Sequence, residues 1–414
     1  MARTPSQPAL PLSRNATGTS IIVLTMALLA IGVVMVSAAV VSLREVNVSH
    51  WWSRVSYRHI VFAVAASLVL LTFWRLDYRW LAAKTVRLPL AGAVPLPAMV
   101  LLLAAVGLGV LVLVPGVGYK VGEYARWLRV GVGGVEVSVQ PSEFIKVTLV
   151  LFLAAWLTHP ETKPRRVWTF LVCACVTGAC VGVIITQDFG TAVVVGLSAA
   201  VTMILAGVPW YYLGAFIPPA AGAFWLLVVK VPYRWSRFDA MINPWDTYHT
   251  KQGLLAILSG EWWGKGLGYS RQGYLPERST DYIFSVLCEE MGLVGGALLL
   301  LLLSVWMFQV RRAAVRAPDR FGLALAGGVG FVVAMQSLLH IAVNLAAYVP
   351  PKGIGLPFVS AGGTSMLILA AAVAMIVSVT SRSREDEMAI QPGSTAAAIA
   401  AKPAESVDAK KPES

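Results

Sequence analysis

Charge is what this sequence has least of: 13% of its 414 residues are Asp, Glu, Lys or Arg, against roughly 25% in an ordinary soluble domain. That shortage excludes a cytosolic globular enzyme. It equally excludes a disordered chain, which needs high charge and few apolar residues. Cysteine is scarce too. Cys173, Cys175 and Cys180 share one apolar run and Cys288 lies in another, with neither the density of a disulfide scaffold nor the paired spacing of a metal site. They read as small buried hydrophobes. Acids are outnumbered by bases, 21 against 33, for a net charge of +12. In a soluble chain that excess would suggest nucleic acid. In a membrane chain basic residues set orientation, so position decides, and no nucleic-acid partner is expected.

What the chain has in place of charge is hydrocarbon: 57% of its residues are apolar. A helix needs roughly 20 such residues to cross a bilayer. Apolar runs lie near 21–41, 59–74, 96–115, 144–158, 167–186, 190–208, 210–229, 283–310, 322–345 and 361–381. They are continuous rather than alternating, which favours helices over barrel strands. The predicted fold is an all-α polytopic membrane protein of about ten transmembrane helices, with a long extracytoplasmic loop between helices 7 and 8. The first run is too long for the core of a signal peptide.

Orientation follows from the basic residues. With the N-terminus in the cytoplasm, the inner loops hold Arg75, Arg79, Lys84 and Arg87; Lys163, Arg165 and Arg166; and Arg311, Arg312, Arg316 and Arg320. Arg382 and Arg384 close the last span, so both termini are expected to be cytoplasmic. The expected organisation is a cytoplasmic tail over 1–20, a membrane domain over 21–382 and a disordered, Ala/Pro/Ser/Lys-rich tail over 383–414. The loop over 230–282 is long enough to suggest function or structure of its own. Its apolar stretch Gly253–Leu258 and the pair Trp262-Trp263 suit a segment lying at the membrane interface.

Fourteen basic residues fall on the outer side: Arg44, Arg54, Arg58, Lys120, Arg126, Arg129, Lys230, Arg234, Arg237, Lys251, Lys265, Arg271, Arg278 and Lys352. The orientation rule does not need them there. An anionic ligand explains them, since an arginine fork donates two parallel hydrogen bonds to a phosphate. Acids at span ends are costly and therefore informative. Glu143 and Lys146 lie three apart on one helical face, either as a plain ion pair or as part of a site. Asp188 opens the sixth span, where the helix dipole alone would favour it. Thr280-Asp281, at the mouth of the eighth span, is either a helix cap or a partly desolvated general acid or base. Glu289 and Glu290 follow about two turns deeper.

Four blocks then give a specific resemblance. They are Glu123 to Leu128 with Gln140 to Lys146; Gln187 to Ala192; Asn243-Pro244-Trp245 leading to Tyr274–Glu277 and Asp281–Gly292; and Lys352 to Ser365. In this order they resemble the shape, elongation, division and sporulation family (FtsW, RodA and SpoVE), over about 20–382. Lys352-Gly353 after the proline is closer to the FtsW/SpoVE branch. The chain departs from the family pattern at Ser279 (usually His), Tyr282 (Phe), Gln187 (Pro) and Ala361 (Tyr), and it is shorter between Trp245 and Gly253.

The resemblance implies a peptidoglycan glycosyltransferase that polymerises lipid II, an undecaprenyl-pyrophosphate-linked substrate, at the outer face of the cytoplasmic (inner) membrane in cell division or cell-shape maintenance. Asp281 matches the family's essential carboxylate and would be the general base of an inverting transfer. Arg58, Arg126 and Lys146 would stabilise the departing pyrophosphate. Gln140, Glu143, Glu277 and Lys352 would position substrate. Ser360, Gly362 and Gly363 would either admit backbone close to substrate or break the start of the last helix. A divalent cation, Mg2+ or Mn2+, is implied only by the resemblance, because no ligand cluster is legible. The implied partner is a class B penicillin-binding protein transpeptidase, with other divisome or elongasome proteins. Against this stand a lipid II flippase, an ion-coupled transporter relaying through Asp188, Glu289 and Glu290, and a scaffold that only recruits a transpeptidase.

Overall fold

The long apolar runs fold as helices, because in hydrocarbon a helix satisfies every backbone N–H and C=O within its own segment. The computed structural model describes residues 11–41, 54–89, 91–121, 124–132, 135–185, 187–215, 217–218, 222, 225, 230, 247–269, 275, 277–347 and 353–382. In chain order the helices are α1 (Ala16–Val41), α2 (Arg54–Phe73), α3 (Leu96–Leu113), α4 (Pro141–Leu157), α5 (Val167–Ile185), α6 (Phe189–Leu205), α7 (Trp210–Ala215), α8 (Tyr248–Ser259), α9 (Ile283–Val315), α10 (Arg320–Asn344) and α11 (Thr364–Thr380). Six of these, α1, α2, α3, α5, α9 and α10, are long and apolar enough to cross a membrane, and α6 and α11 are apolar but shorter. The seventh expected span, 210–229, lies mostly outside the described residues beyond α7. So do the tail over 383–414, Lys352 and much of the loop over 230–282. α1 starts at Ala16 rather than near 21, with Asn15 tied to the last helix through Asn15 Nδ2 and Thr380 Oγ1 at 2.9 Å.

The chain is mostly helical, but not all-α. Two small antiparallel sheets interrupt the helices: β1 (Thr85–Leu88) with β2 (Gly92–Pro95), and β3 (Gly118–Val121), β4 (Tyr124–Val132) and β5 (Val135–Val139) in that order. The second sheet falls where only a loop is expected. Its cause is visible in the alternation of Val130, Val132, Val135, Val137 and Val139 with small or polar residues, a period of two carried by a β-branched residue. Its register pairs Leu128 with Val139 and Val132 with Val135.

α4 is buried along nearly its whole length and α11 along most of it, as helices apolar on every side should be. α10 packs on α4, α6 and α9, while α11 packs on α1 and α2. By contrast α2, α3 and α5 leave Leu68, Leu103 and Leu171 exposed, the face that lipid would cover.

Polar residues segregate to the two ends. At one end the short basic segments meet. Asp319 accepts from Tyr78 Oη (2.7 Å) and Arg79 Nε (3.1 Å), Arg382 approaches Asp77 at 3.5 Å, and Arg87 reaches Glu161 at 3.4 Å. At the other end lie β3–β5, α8 and the chain leading into α9 and α11. The 33-residue α9 is broken there at Gly292, whose φ of 69° and ψ of −171° are not helical. The segment 261–266 fills the break. Glu261 and Trp262 carbonyls accept from Leu293 (2.8 Å) and Val294 (3.3 Å), and Lys265 and Gly266 N–H groups donate to Glu289 and Glu290 carbonyls (both 3.0 Å). Broken helical backbone needs such replacement partners when it is buried. Side chains join the same joint, with Glu289 between Lys265 (3.4 Å) and the buried Arg278 (3.9 Å). α8 buries Thr250, Gly253 and Ala256, while the following Trp262 and Trp263 are exposed.

Candidate active site

The turn before α9 is wound around Glu277. Its carbonyl accepts the N–H groups of Thr280 (3.2 Å), Asp281 (3.0 Å) and Tyr282 (3.3 Å). That tight winding places Glu277 itself in the left-handed region, at φ 50°. The turn is stitched to the segment before α11. Ser360 Oγ donates to Thr280 O (2.7 Å) and accepts from Leu356 N–H (2.6 Å), and Ala361 N–H donates to Ser279 O (2.8 Å). Two blocks eighty residues apart in sequence therefore form one surface.

Asp281 stands at the centre of that surface and is not a cap. The N-cap of α9 is Tyr282, whose side chain makes no capping hydrogen bond, and the first-turn N–H of Ser285 is met by Asn344 Oδ1 at 3.0 Å. The Asp281 carboxylate abuts the Gly353 backbone so closely that a Cβ at Gly353 would lie 2.9 Å from Oδ2. Burial pushes its pKa up to about 7, with the nearby Glu277 and Asp188 adding to the rise. The Thr280 hydroxyl and Arg126 pull the other way without offsetting it.

Asp281 opens on a cavity of about 700 Å³, counting its open mouth, that Gln140, Glu143, Lys146, Ser360 and Gly362 also line, with Trp127 from β4. Gln140 precedes Pro141, the first residue of α4, a position where the missing proline N–H costs nothing. Lys146 is almost fully buried and already engaged. Both Glu143 oxygens accept from its Nζ at 2.9 Å, and Gln336 Oε1 is its third partner. Asp188 is the N-cap of α6, accepting from Thr191 N–H (3.1 Å) and Thr191 Oγ1 (2.8 Å). For these two acids the plainer structural reading accounts for the contacts, and Asp281 is left as the different one.

Arg126 lines a smaller neighbouring cleft, about 310 Å³ with its open mouth counted, that shares Gln140 and includes Asp188. Glu277 is exposed beside the turn and accepts from Thr280 Oγ1 at 3.1 Å. Gly363 is the N-cap of α11 with φ 43°, against the Phe62 ring, and does not line the main cavity. Arg58 is exposed on the first turns of α2 and is not a lining residue either. Lys352 lies outside the described residues. No group of three His, Cys, Asp or Glu side chains that could hold a metal is present among the described residues.

Two polar neighbours belong to no sequence block: Gln336, which lines the cavity, and Asn344, which donates to Asp281 O at 2.9 Å. The signal for them was present. Gln336, His340 and Asn344 recur every four residues inside an apolar run, where polar side chains are expensive unless used.

The family model for FtsW, RodA and SpoVE, described as cell cycle proteins, matches residues 19–385. The chain belongs to the FtsW/RodA/SpoVE family. A protein of Thioalkalivibrio sulfidiphilus named "Probable peptidoglycan glycosyltransferase FtsW" is 34% identical over 368 residues, 86% of this chain and 87% of that protein. Stage V sporulation protein E of Bacillus subtilis is 32% identical over 379 residues, 88% and 97% of the two chains. Among solved structures, a chain from work described as "Structural coordination of polymerization and crosslinking by a peptidoglycan synthase complex" has a TM-score of 0.68 at 25% identity, covering 87% of this chain and 96% of that one. The rod shape determining protein RodA of Thermus thermophilus has the same fold, with a TM-score of 0.62 at 24% identity over 91% and 98% of the chains.

Proposed function

We propose that this member of the FtsW/RodA/SpoVE family is a peptidoglycan glycosyltransferase that polymerises lipid II. The observation that carries the reading is Asp281: a carboxylate that caps no helix, has its pKa raised to about 7 and faces a cavity at the polar end of the bundle. A general base works best with a pKa near the operating pH. Asp281 takes the proton from the 4-hydroxyl of the acceptor N-acetylglucosamine. That oxygen forms a bond to C1 of the donor N-acetylmuramic acid as the bond from C1 to the pyrophosphate breaks, inverting the anomeric centre. Undecaprenyl pyrophosphate leaves with the electron pair.

Negative charge grows on the leaving group, so a cation aimed there lowers the barrier. Arg126 suits this role better than Lys146, whose charge is matched by Glu143. The Glu143–Lys146 pair, with Gln336, acts as a fixed polar wall. Gln140, at the junction of the two cavities, and the 360–362 backbone position substrate, with Glu277 supporting the turn. Arg58, Gly363 and Lys352 remain candidates for substrate contact by resemblance alone. The donor set does not fit a resident Mg2+ or Mn2+ cage. Among the described residues Asp281 is the one cavity carboxylate not held by a cation or a cap.

The family pattern supports ten spans with both termini in the cytoplasm and the Asp281 end outward, in the cytoplasmic membrane. It also supports a class B penicillin-binding protein as partner, in keeping with the synthase complex whose chain this one resembles. A relay through Asp188, Glu289 and Glu290 is disfavoured at its first two acids, since Asp188 is a cap and Glu289 is held by Lys265 and Arg278, which leaves the buried Glu290 as the one acid of the three in its favour.

The test is polymerisation of purified lipid II by the full chain, with and without the transpeptidase. The wild type is expected to make glycan strands, and Asp281→Asn to bind lipid II but make none. Strands made at the wild-type rate by Asp281→Asn would overturn the reading.

A further inference from the structure

α10 carries three polar side chains in a column, Gln336, His340 and Asn344, each one turn after the last and all buried. Four residues of helix advance about 6 Å, so the column spans roughly 12 Å of one face. Each side chain reaches the backbone of a segment that builds the Asp281 site. Gln336 Nε2 donates to Gly355 O (2.9 Å). His340 Nδ1 donates to Ile354 O (2.7 Å), since a carbonyl can only accept. Asn344 Nδ2 donates to Asp281 O (2.9 Å), while its Oδ1 accepts from Ser285 N–H (3.0 Å) and Ser285 Oγ (2.7 Å). Through its Oε1, Gln336 also takes a hydrogen bond from Lys146 of α4.

Packing alone does not ask for these residues. Leucine would fill the same space, and a buried amide or imidazole is a liability unless its partners are placed to meet it. What the column does is tie three separate walls to one helix face. The 353–355 segment runs antiparallel to α10, its Ile354 and Gly355 carbonyls met in turn by His340 and Gln336. The 281 turn is met by Asn344 at the head of the column. The carboxylate of Asp281 lies against Gly353 because both are hung from the same rigid element.

We propose that Gln336, His340 and Asn344 are positioning residues, a ruler on α10 that fixes the Asp281 carboxylate relative to the 353–355 backbone and so sets its reach to the acceptor hydroxyl. The inference rests on Asp281 being the general base. A base displaced by about 1 Å loses on the order of a hundredfold in rate without loss of binding.

The test compares Asn344→Leu, His340→Leu, His340→Asn, Ser285→Ala and Asp281→Asn with the wild type, as full chains, in steady-state polymerisation of lipid II. Asn344→Leu and His340→Leu are expected to lower kcat by about 10- to 100-fold with KM within about twofold, the signature of an interaction that acts in the transition state. His340→Asn keeps a donor for the Ile354 carbonyl and should recover to within about threefold of the wild type. Ser285→Ala leaves Asn344 one of its two donors and should cost a few-fold in kcat. That milder variant decides the matter if a leucine variant fails to fold, and wild-type kcat in it would then overturn the proposal. So would wild-type kcat in the folded leucine variants, a loss confined to KM, or a His340→Asn protein as slow as His340→Leu. Polymerisation by Asp281→Asn would instead bring down the base itself, an outcome separate from all of these.

Discussion

Asp319 and Asp281 each stand just ahead of a long apolar helix, at opposite ends of the molecule. Asp319 is the N-cap of α10, accepting from Gly322 N–H at 2.7 Å, and it also holds the Tyr78 hydroxyl and the Arg79 guanidinium. Its neighbour Asp77 accepts from Arg79 N–H at 3.0 Å and faces Arg382. Every one of these contacts puts a donor or a cation on a carboxylate and fastens helix ends together. Asp281 has the reverse environment: burial and two nearby acids that disfavour ionisation, with Arg126 only partly opposing them. The same residue type near a helix start is thus a fastener at one end and the proposed general base at the other. The difference is whether the protein supplies its partners or leaves that to a substrate.

The largest effect expected is at Asp281. Asp281→Asn should lower polymerisation by about 10²- to 10⁴-fold, the usual worth of a positioned general base. Wild-type activity should rise with pH through a midpoint near 7, because the base works only when ionised. Stability should move the opposite way. The folded-state pKa is raised above the ordinary 3.8, so between about pH 4 and 7 the folded protein holds a proton that the unfolded chain has lost. Stability therefore falls as pH rises through that window and stays at its lower value above it. Asp281→Asn should melt at a higher temperature than the wild type at pH 8, with the gap narrowing as pH falls and closing only below about pH 4, in thermal unfolding of the detergent-solubilised protein. A variant that loses activity and stability together at pH 8 would make Asp281 a fastener after all.

Gly353→Ala sharpens the same contrast from the other side. The added methyl would sit 2.9 Å from Asp281 Oδ2, and the segment has little freedom to retreat while its next two carbonyls are held by His340 and Gln336. The carboxylate must turn aside, and a loss of about tenfold or more in kcat is expected from that displacement. Unchanged turnover would mean that the carboxylate has room it does not use.

Much of this was legible in the sequence, for physical reasons. Spans are read easily because a bilayer demands continuous apolar runs, and α3, α5 and α10 appear where the runs are. The β3–β5 sheet was hidden because its alternating valines sit in a polar stretch that reads as a loop. The break at Gly292 was hidden because a glycine in an apolar run looks helical until the 261–266 segment is seen to fill it. At the site, Asp281 could be named, but its difference from Asp188 and Glu143 could not. Each is an acid at a helix start, and only the Thr191 and Lys146 contacts separate them. Asn344 was missed because its partner is a backbone carbonyl 63 residues away, a contact that leaves no spacing to read.

The smallest effects belong to the fastening end and test whether its charges are structural only. Asp319→Ala removes a cap together with the Tyr78 and Arg79 contacts, and should cost about 1–2 kcal/mol of stability. The rate per folded molecule should stay at the wild-type value, measured as polymerisation normalised to folded protein. Arg87→Ala should change neither quantity, since its 3.4 Å contact with Glu161 is exposed, at 83% and 54% for the two side chains, and such pairs contribute about 0–1 kcal/mol. If Asp319→Ala instead slowed the folded enzyme, the path would have to run along α10. That helix has Asp319 at its first cap and Asn344 at its last turn, and a shift of the whole rod would move the column that holds Asp281. An unchanged rate with a lowered Tm would show that α10 transmits nothing from its capped end. The two aspartates would then be separate in energy as well as in space.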